Sequence, residues 1–220
     1  VTHLEGMRLT VKICGIRTPD AIAAASEGGA RAVGFVFYPK SPRAVSVELA
    51  ATLARMVPTG MRAIGLFVDP DEEYLESIVS QVPLDVLQLH GAESPERVAE
   101  IRAAYGIPVM KAVRVATAAD LEQVPPYEAV ADMLLFDAKL PANVAALPGG
   151  NGVPFDWSIL AGRRWDRPWM LSGGLNVDNL AEAVAETGAR AVDVSSGVET
   201  RPGLKDPARI RSLLAVAADL

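Results

Sequence analysis

Cysteine and histidine are nearly absent from this chain. One cysteine, Cys14, and two histidines, His3 and His90, occur in 220 residues. A lone thiol makes no intrachain disulfide, so no disulfide framework holds the fold and a reducing, cytoplasmic setting is expected. Two imidazoles argue against a histidine-rich metal site. A basic surplus is missing as well. The formal charge is -6 at pH 7, whereas a nucleic-acid binder carries a basic stripe. A local cationic pocket for an anionic metabolite stays open. No run of about 18 uncharged apolar residues occurs, so no membrane span is indicated. The segment Val1–Thr10 lacks the apolar core of a signal peptide. Residues 1–7 read as an N-terminal extension, with Met7 as a candidate start.

What is present is a regular alternation. Half of the chain is hydrophobic, which suits one domain spanning 1–220. Short apolar runs lie at Leu9–Cys14, Ala32–Phe37, Ala63–Val68, Val86–His90, Val109–Val115, Met133–Asp137, Trp169–Ser172 and Ala191–Val194. They are rich in Val, Leu, Ile and Phe and mostly unalternated, as strands buried on both faces are. Helical patterns lie between them. Thr18-Pro19-Asp20 opens one, with Thr as cap and Pro at the first helical position, and Gly28-Gly29 closes it. Ser94-Pro95-Glu96 opens another that ends at Gly106. A third runs from Asn176 to Thr187 before Gly188, and Asp206-Pro207 opens the last. Strand–helix alternation requires a parallel sheet, because each return to a parallel neighbour needs a crossover.

Eight such units, of roughly 25 to 30 residues each, predict an α/β fold, a single (β/α)8 TIM barrel. A doubly wound open sheet is the alternative. It is disfavoured by the count of eight and by the absence of Gly-x-Gly-x-x-Gly after the first strand. One connection is long, from Ala138 to Phe155, and holds Gly149-Gly150-Asn151-Gly152. Long connections of this kind are lids, binding loops or disordered segments.

In a parallel barrel the active site lies above the carboxyl ends of the strands. The polar residues there are Cys14, Arg43, Asp69, Gln88, His90, Arg114, Asp137, Ser172 and Asp193. Strand 6 is three places from strand 1 around the ring, so Cys14 and Asp137 are expected to face each other across the mouth. A thiol and a carboxyl on opposite sides of a small ligand can act as a base–acid pair. The bland alternative for Cys14 is an inert buried thiol, and for Asp137 a structural carboxylate. Ser172-Gly173-Gly174 and Ser195-Ser196-Gly197 follow strands 7 and 8, the usual phosphate position of this fold. Glycines let backbone N–H groups converge on an anion. Gly173, Gly174, Ser195, Ser196 and Gly197 are therefore candidate phosphate contacts. Gly150 and Gly152, in the long connection, join them. Gln88 and His90 are candidate substrate contacts.

Seven short blocks then match one family in order. They are Lys12-Ile13-Cys14-Gly15-Ile16, Gly34-Phe35-Val36-Phe37 with Ser41-Pro42-Arg43, Gln88-Leu89-His90-Gly91, Leu135-Phe136-Asp137, Phe155-Asp156-Trp157, Leu171-Ser172-Gly173-Gly174-Leu175, and Asp193-Val194-Ser195-Ser196-Gly197-Val198-Glu199. From about Arg8 to Leu220 the chain resembles phosphoribosylanthranilate isomerases of tryptophan biosynthesis. The resemblance implies a (β/α)8 barrel without cofactor or metal, monomeric or homodimeric, that acts on a small phosphorylated substrate. It implies Cys14 as general base and Asp137 as general acid. It implies Arg43 as the partner of the anthranilate carboxylate, with Asp193 near the anthranilate end. Ala138 departs from the commoner form, where a hydroxyl residue follows the aspartate.

Two rival readings remain at this stage. Another phosphate-binding barrel is one, but a sugar-phosphate epimerase needs histidine and aspartate metal ligands, and this chain has too few histidines. An indole-forming lyase needs strand-end lysines and glutamates, whereas Lys12 and Lys111 lie within strands. A catalytically dead barrel is the second, and it predicts loss of the acid–base pair while both residues are present. Asp193 also has an alternative, an ion pair with Arg43.

Overall fold

The apolar runs pair with one another in chain order until the last meets the first. The computed structural model describes residues 8–139 and 155–220. Its strands are β1 (Thr10–Cys14), β2 (Ala32–Val36), β3 (Arg62–Phe67), β4 (Val86–Leu89), β5 (Val109–Val115), β6 (Met133–Ala138), β7 (Trp169–Leu171) and β8 (Ala191–Val194). Every pairing is parallel, and β1–β8 contact closes the ring into the expected barrel. Each strand begins and ends within one residue of its predicted run.

The helices are α1 (Pro19–Glu27), α2 (Val47–Ala54), α3 (Glu72–Val79), α4 (Pro95–Tyr105), α5 (Val124–Val130), α6 (Leu180–Thr187) and α7 (Pro207–Ala218). Thr18 and Ser94 cap α1 and α4 by accepting from Ala21 and Arg97 N–H, and Asp206 caps α7. α6 starts at Leu180 rather than Asn176, because the Asn176 side chain accepts from Asp178 N–H (2.8 Å) and Asn179 N–H (3.2 Å). That side-chain turn competes with helix at the same backbone. Among the described residues, the β6–β7 connection contributes a 3-10 turn, Trp157–Ile159, in place of an α-helix. A short antiparallel ribbon not expected from the sequence, β9 (Glu199–Arg201) with β10 (Leu204–Lys205), follows β8.

Strand side chains alternate, and in a closed barrel one set points inward. Ala32, Ile64, Val86, Met110, Ala112, Leu135 and Met170 fill the interior. Outward-facing Val33, Phe35, Phe67, Leu87, Val113, Phe136 and Val192 pack beneath the helices. Phe136 packs tilted against Trp165, with ring centroids 4.8 Å apart, and edge-on against Trp169 at 5.6 Å, which fixes β6 from behind. Cys14, Gln88, Asp137 and Asp193 share the inward parity. Lys111 has the outward one and pairs with Glu93 at 2.6 Å, beyond the barrel wall.

Candidate active site

Position 12 is two residues before Cys14, so both side chains enter the barrel from β1. Gly34 of β2 stands opposite Cys14. A Cβ on Gly34 would lie 2.9 Å from Cys14 Sγ and 3.2 Å from Lys12 Cε, so this glycine makes room for both. Lys12 is wholly buried, and its ammonium donates to Gln88 Oε1 at 2.7 Å and Asp193 Oδ1 at 2.9 Å. Burial opposes that charge, but Asp193 and Cys14 outweigh it, and the Lys12 pKa is raised. Burial pushes the Cys14 thiol up, as does Asp193, while Lys12 and Lys205 pull it down without prevailing.

Across the barrel, Gln88 Nε2 lies 2.9 Å from His90 Nδ1, and His90 Nε2 lies 3.0 Å from Asp137 Oδ2. Asp137 Oδ1 accepts from Ala138 N–H at 2.9 Å. The side chains of Asp193, Lys12, Gln88, His90 and Asp137 thus form one continuous buried chain. His90 carries the β4 end into this chain, and Arg114 donates to its carbonyl at 3.2 Å. The Lys111–Glu93 pair clamps the following turn, with Lys111 Nζ 2.9 Å from Gly91 O.

A second charged cluster lies on the Cys14 side. Arg43 meets Glu199 side-on, Nε to Oε1 and Nη2 to Oε2, both at 2.8 Å. Lys205 Nζ donates to Glu199 Oε1 at 2.6 Å. Burial disfavours the Glu199 charge, but Arg43 and Lys205 overcome it and lower its pKa. Burial lowers the pKa of Lys205. Arg43 has no partner on Nη1 among the described residues. Ser195 Oγ donates to Cys14 O at 3.1 Å and receives Lys205 at 3.2 Å, so its side chain ties β8 to β1.

The loops after β7 and β8 touch. A Cβ at Gly197 would sit 2.0 Å from Leu175 O, so only a glycine lets them approach. Gly173 has φ +94 and lies against Ala138 N and Asp137 Oδ1, which brings the β7 loop beside the carboxyl group. Gly174 also has positive φ.

The family model for N-(5'phosphoribosyl)anthranilate (PRA) isomerase matches residues 11–216. The chain belongs to the N-(5'-phosphoribosyl)anthranilate isomerase family. It is an isomerase of tryptophan biosynthesis. It is 67% identical over 214 residues to the isomerase of Rhodospirillum centenum, covering 97% of this chain and 100% of that one. It is 58% identical over 214 residues to an isomerase of Cereibacter sphaeroides, with the same two coverages, 97% and 100%. Among solved structures, the phosphoribosyl anthranilate isomerase of Thermotoga maritima superposes with TM-score 0.85 at 39% identity, over 96% of this chain and 100% of the other. A phosphoribosyl anthranilate isomerase in complex with reduced 1-(o-carboxyphenylamino)-1-deoxyribulose 5-phosphate gives TM-score 0.82 at 38% identity, over 96% of this chain and 100% of that one.

In this isomerase the fold places Cys14, Arg43, Gln88, His90, Asp137, Asp193, Gly173, Gly174, Ser195, Ser196 and Gly197 at the carboxyl end of the barrel strands or in the loops beyond. Gly150 and Gly152 lie outside the described residues. The alternative ion pair between Asp193 and Arg43 does not form, because each finds a nearer counter-charge, Lys12 and Glu199. Gln88 is fully buried, with both ends of its amide engaged inside the protein. Lys12, Glu199 and Lys205 had no assigned role in the sequence. The period-two spacing of Lys12 and Cys14 was a signal for the first. Nothing local marked the other two, since the ribbon that presents them has only two- and three-residue strands. Among the described residues, no helix is long and apolar enough to cross a membrane.

Proposed function

We propose that this isomerase converts N-(5-phosphoribosyl)anthranilate to 1-(2-carboxyphenylamino)-1-deoxyribulose 5-phosphate, with Asp137 as general acid and Cys14 as general base. The observation that carries this reading is the placement of two nearly buried groups on β6 and β1, three strands apart at one end of the barrel. Each is about 4% exposed. Support also comes from the relative whose structure holds a reduced form of that product.

Asp137 protonates the ribose ring oxygen, and the bond from that oxygen to C1′ breaks. The nitrogen lone pair forms an iminium with C1′, which acidifies the hydrogen on C2′. Cys14 removes that proton, and the electron pair forms the C1′–C2′ double bond of an enolamine. Tautomerisation gives the ketose. Burial pushes the Cys14 thiol up and so favours its protonated form. Its conversion to a better base is therefore assigned to the iminium, a positive charge that appears next to it during the reaction. Lys12 and Lys205 favour the same change. Proton transfers of this kind contribute about 10²–10⁴-fold to rate.

Arg43, braced by Glu199, presents its remaining N–H groups to the anthranilate carboxylate, for which a planar guanidinium is suited. Asp193 completes the anthranilate end through Lys12. The phosphate rests on the backbone of Gly173, Gly174, Ser195, Ser196 and Gly197, and Gly150 and Gly152 belong to the same proposal. One barrel domain suffices for the whole reaction.

The test is an anthranilate-fluorescence assay of wild type, Cys14→Ser and Asp137→Asn. Each substitution is expected to lower kcat by about 10²-fold or more. Rates within a few fold of wild type for both would overturn the assignment.

A further inference from the structure

We propose that Lys12 and Gln88 are positioning residues that fix which ring nitrogen of His90 carries its proton. The inference rests on the reading of Asp137 as the acid for its catalytic consequence, but its geometry stands alone.

Lys12 Nζ can only donate, so the Gln88 atom 2.7 Å from it is the amide oxygen. Asp193, 2.9 Å away, holds Lys12 in its charged form. The amide orientation follows, and the Gln88 nitrogen faces His90 Nδ1 at 2.9 Å. An amide nitrogen also only donates, so Nδ1 must offer its lone pair. A neutral imidazole has one N–H. It therefore sits on Nε2, 3.0 Å from Asp137 Oδ2.

Three successive bonds donate in one direction: Lys12 to Gln88, Gln88 to His90, His90 to Asp137. Gln88 is 0% exposed and His90 3%, so water does not replace a reversed bond. The Nδ1–H form, or the imidazolium, would set an N–H against the Gln88 N–H in a buried site. The other charged groups around this turn do not supply a lone pair to Nδ1. Arg114 donates to the His90 carbonyl, Lys111 and Glu93 engage Gly91, and Asp69 accepts from Ala92 N–H.

The consequence is a carboxyl group held from both sides. Oδ2 accepts Nε2–H and Oδ1, the oxygen beside Gly173, accepts Ala138 N–H, which leaves each a lone pair for the proton that Asp137 transfers. His90 orients the carboxyl group and does not accept its proton. Lys12, two residues from Cys14 on β1, thereby links the two ends of the proposed base–acid pair.

The experiment is ¹⁵N NMR of the full chain labelled at histidine. Only His3 and His90 contribute, and a His3→Gln variant assigns them. The expected His90 spectrum has an unprotonated Nδ1 and a protonated Nε2. A protonated Nδ1 in the wild type would overturn the proposal, whatever the variants do. Gln88→Glu replaces the donor with a second acceptor, so a proton on Nδ1 is expected to appear. Its kcat should fall about tenfold, equivalent to about 1.4 kcal/mol, with KM changed less than about twofold. Lys12→Met frees the Gln88 amide to turn, and a mixture of tautomers is expected. Retention of Nε2–H alone in both variants would also overturn it. Full activity in Asp137→Asn with the expected wild-type spectrum would instead refute the acid assignment and leave the tautomer lock standing.

Discussion

Arg43 lies side-on against Glu199, bonded twice at 2.8 Å, although 156 positions separate them. Lys205 meets the same carboxylate, so one buried anion balances two buried cations. Glu199→Gln removes the charge and leaves both cations uncompensated. Breaking a buried pair from one side costs about 3–5 kcal/mol. Urea unfolding should show a loss of that size, and KM should rise as Arg43 loses its brace. Unchanged stability would show that the cluster is not buried in solution.

Gly34→Ala probes the space shared by Cys14 and Lys12. The added Cβ would stand 2.9 Å from Cys14 Sγ. Either the thiol or the strand must shift, and such overpacking costs about 1–3 kcal/mol. The expected outcome is a kcat at least about tenfold lower, with a modest fall in unfolding midpoint. A fully active variant would mean that the thiol position is not critical.

Burial pushes the Cys14 thiol up. The unfolded chain therefore releases this proton first as pH rises. The thiol's contribution to stability is complete below the unfolded value, about 8.5, and is lost as pH climbs through the folded one. The wild-type minus Cys14→Ser difference in thiolate absorbance should begin only above the ordinary thiol range. The stability difference between the two proteins should begin to change at about pH 8.5, before that absorbance appears, and level off once the folded thiol has ionised. A thiolate signal at neutral pH would contradict this.

Asp120 behaves in the opposite sense. Its partial burial works against the charge, but Lys139 and the N–H groups of Ala116 and Thr117 win, and its pKa falls from 3.8 to about 2. Stability from this group is present above the unfolded value and disappears as pH drops toward 2. Because Lys139 is half exposed, the effect is limited to about 1 kcal/mol. Asp120→Asn should be less stable than wild type near neutrality, and the gap should close in acid. A gap independent of pH would mean that the Asp120 charge is not its source.

The strands were legible because parallel barrel strands are buried on both faces, and eight short, mostly unalternated apolar runs have few other uses. Cys14 and Asp137 were legible because they end such runs, where side chains of one parity reach the mouth. Thr18, Ser94 and Asp206 announced their helices by side-chain chemistry that needs only local backbone. The start of α6 was misplaced because Asn176 bonds the next turn instead of continuing as helix.

What the tertiary structure alone decided is which charges meet. Lys12 reads in sequence as a lysine inside a strand. Barrel closure sets it against Asp193, 181 positions away, and Gln88, 76 away. The partner of Arg43 turned out to be Glu199 because the β9–β10 ribbon folds back over the β1–β2 end. Ionic partners depend on distances in space, and nothing local in a chain encodes them. Local pattern therefore determined the barrel and the side chains at its strand ends, while closure determined the buried charge network that holds those ends in place.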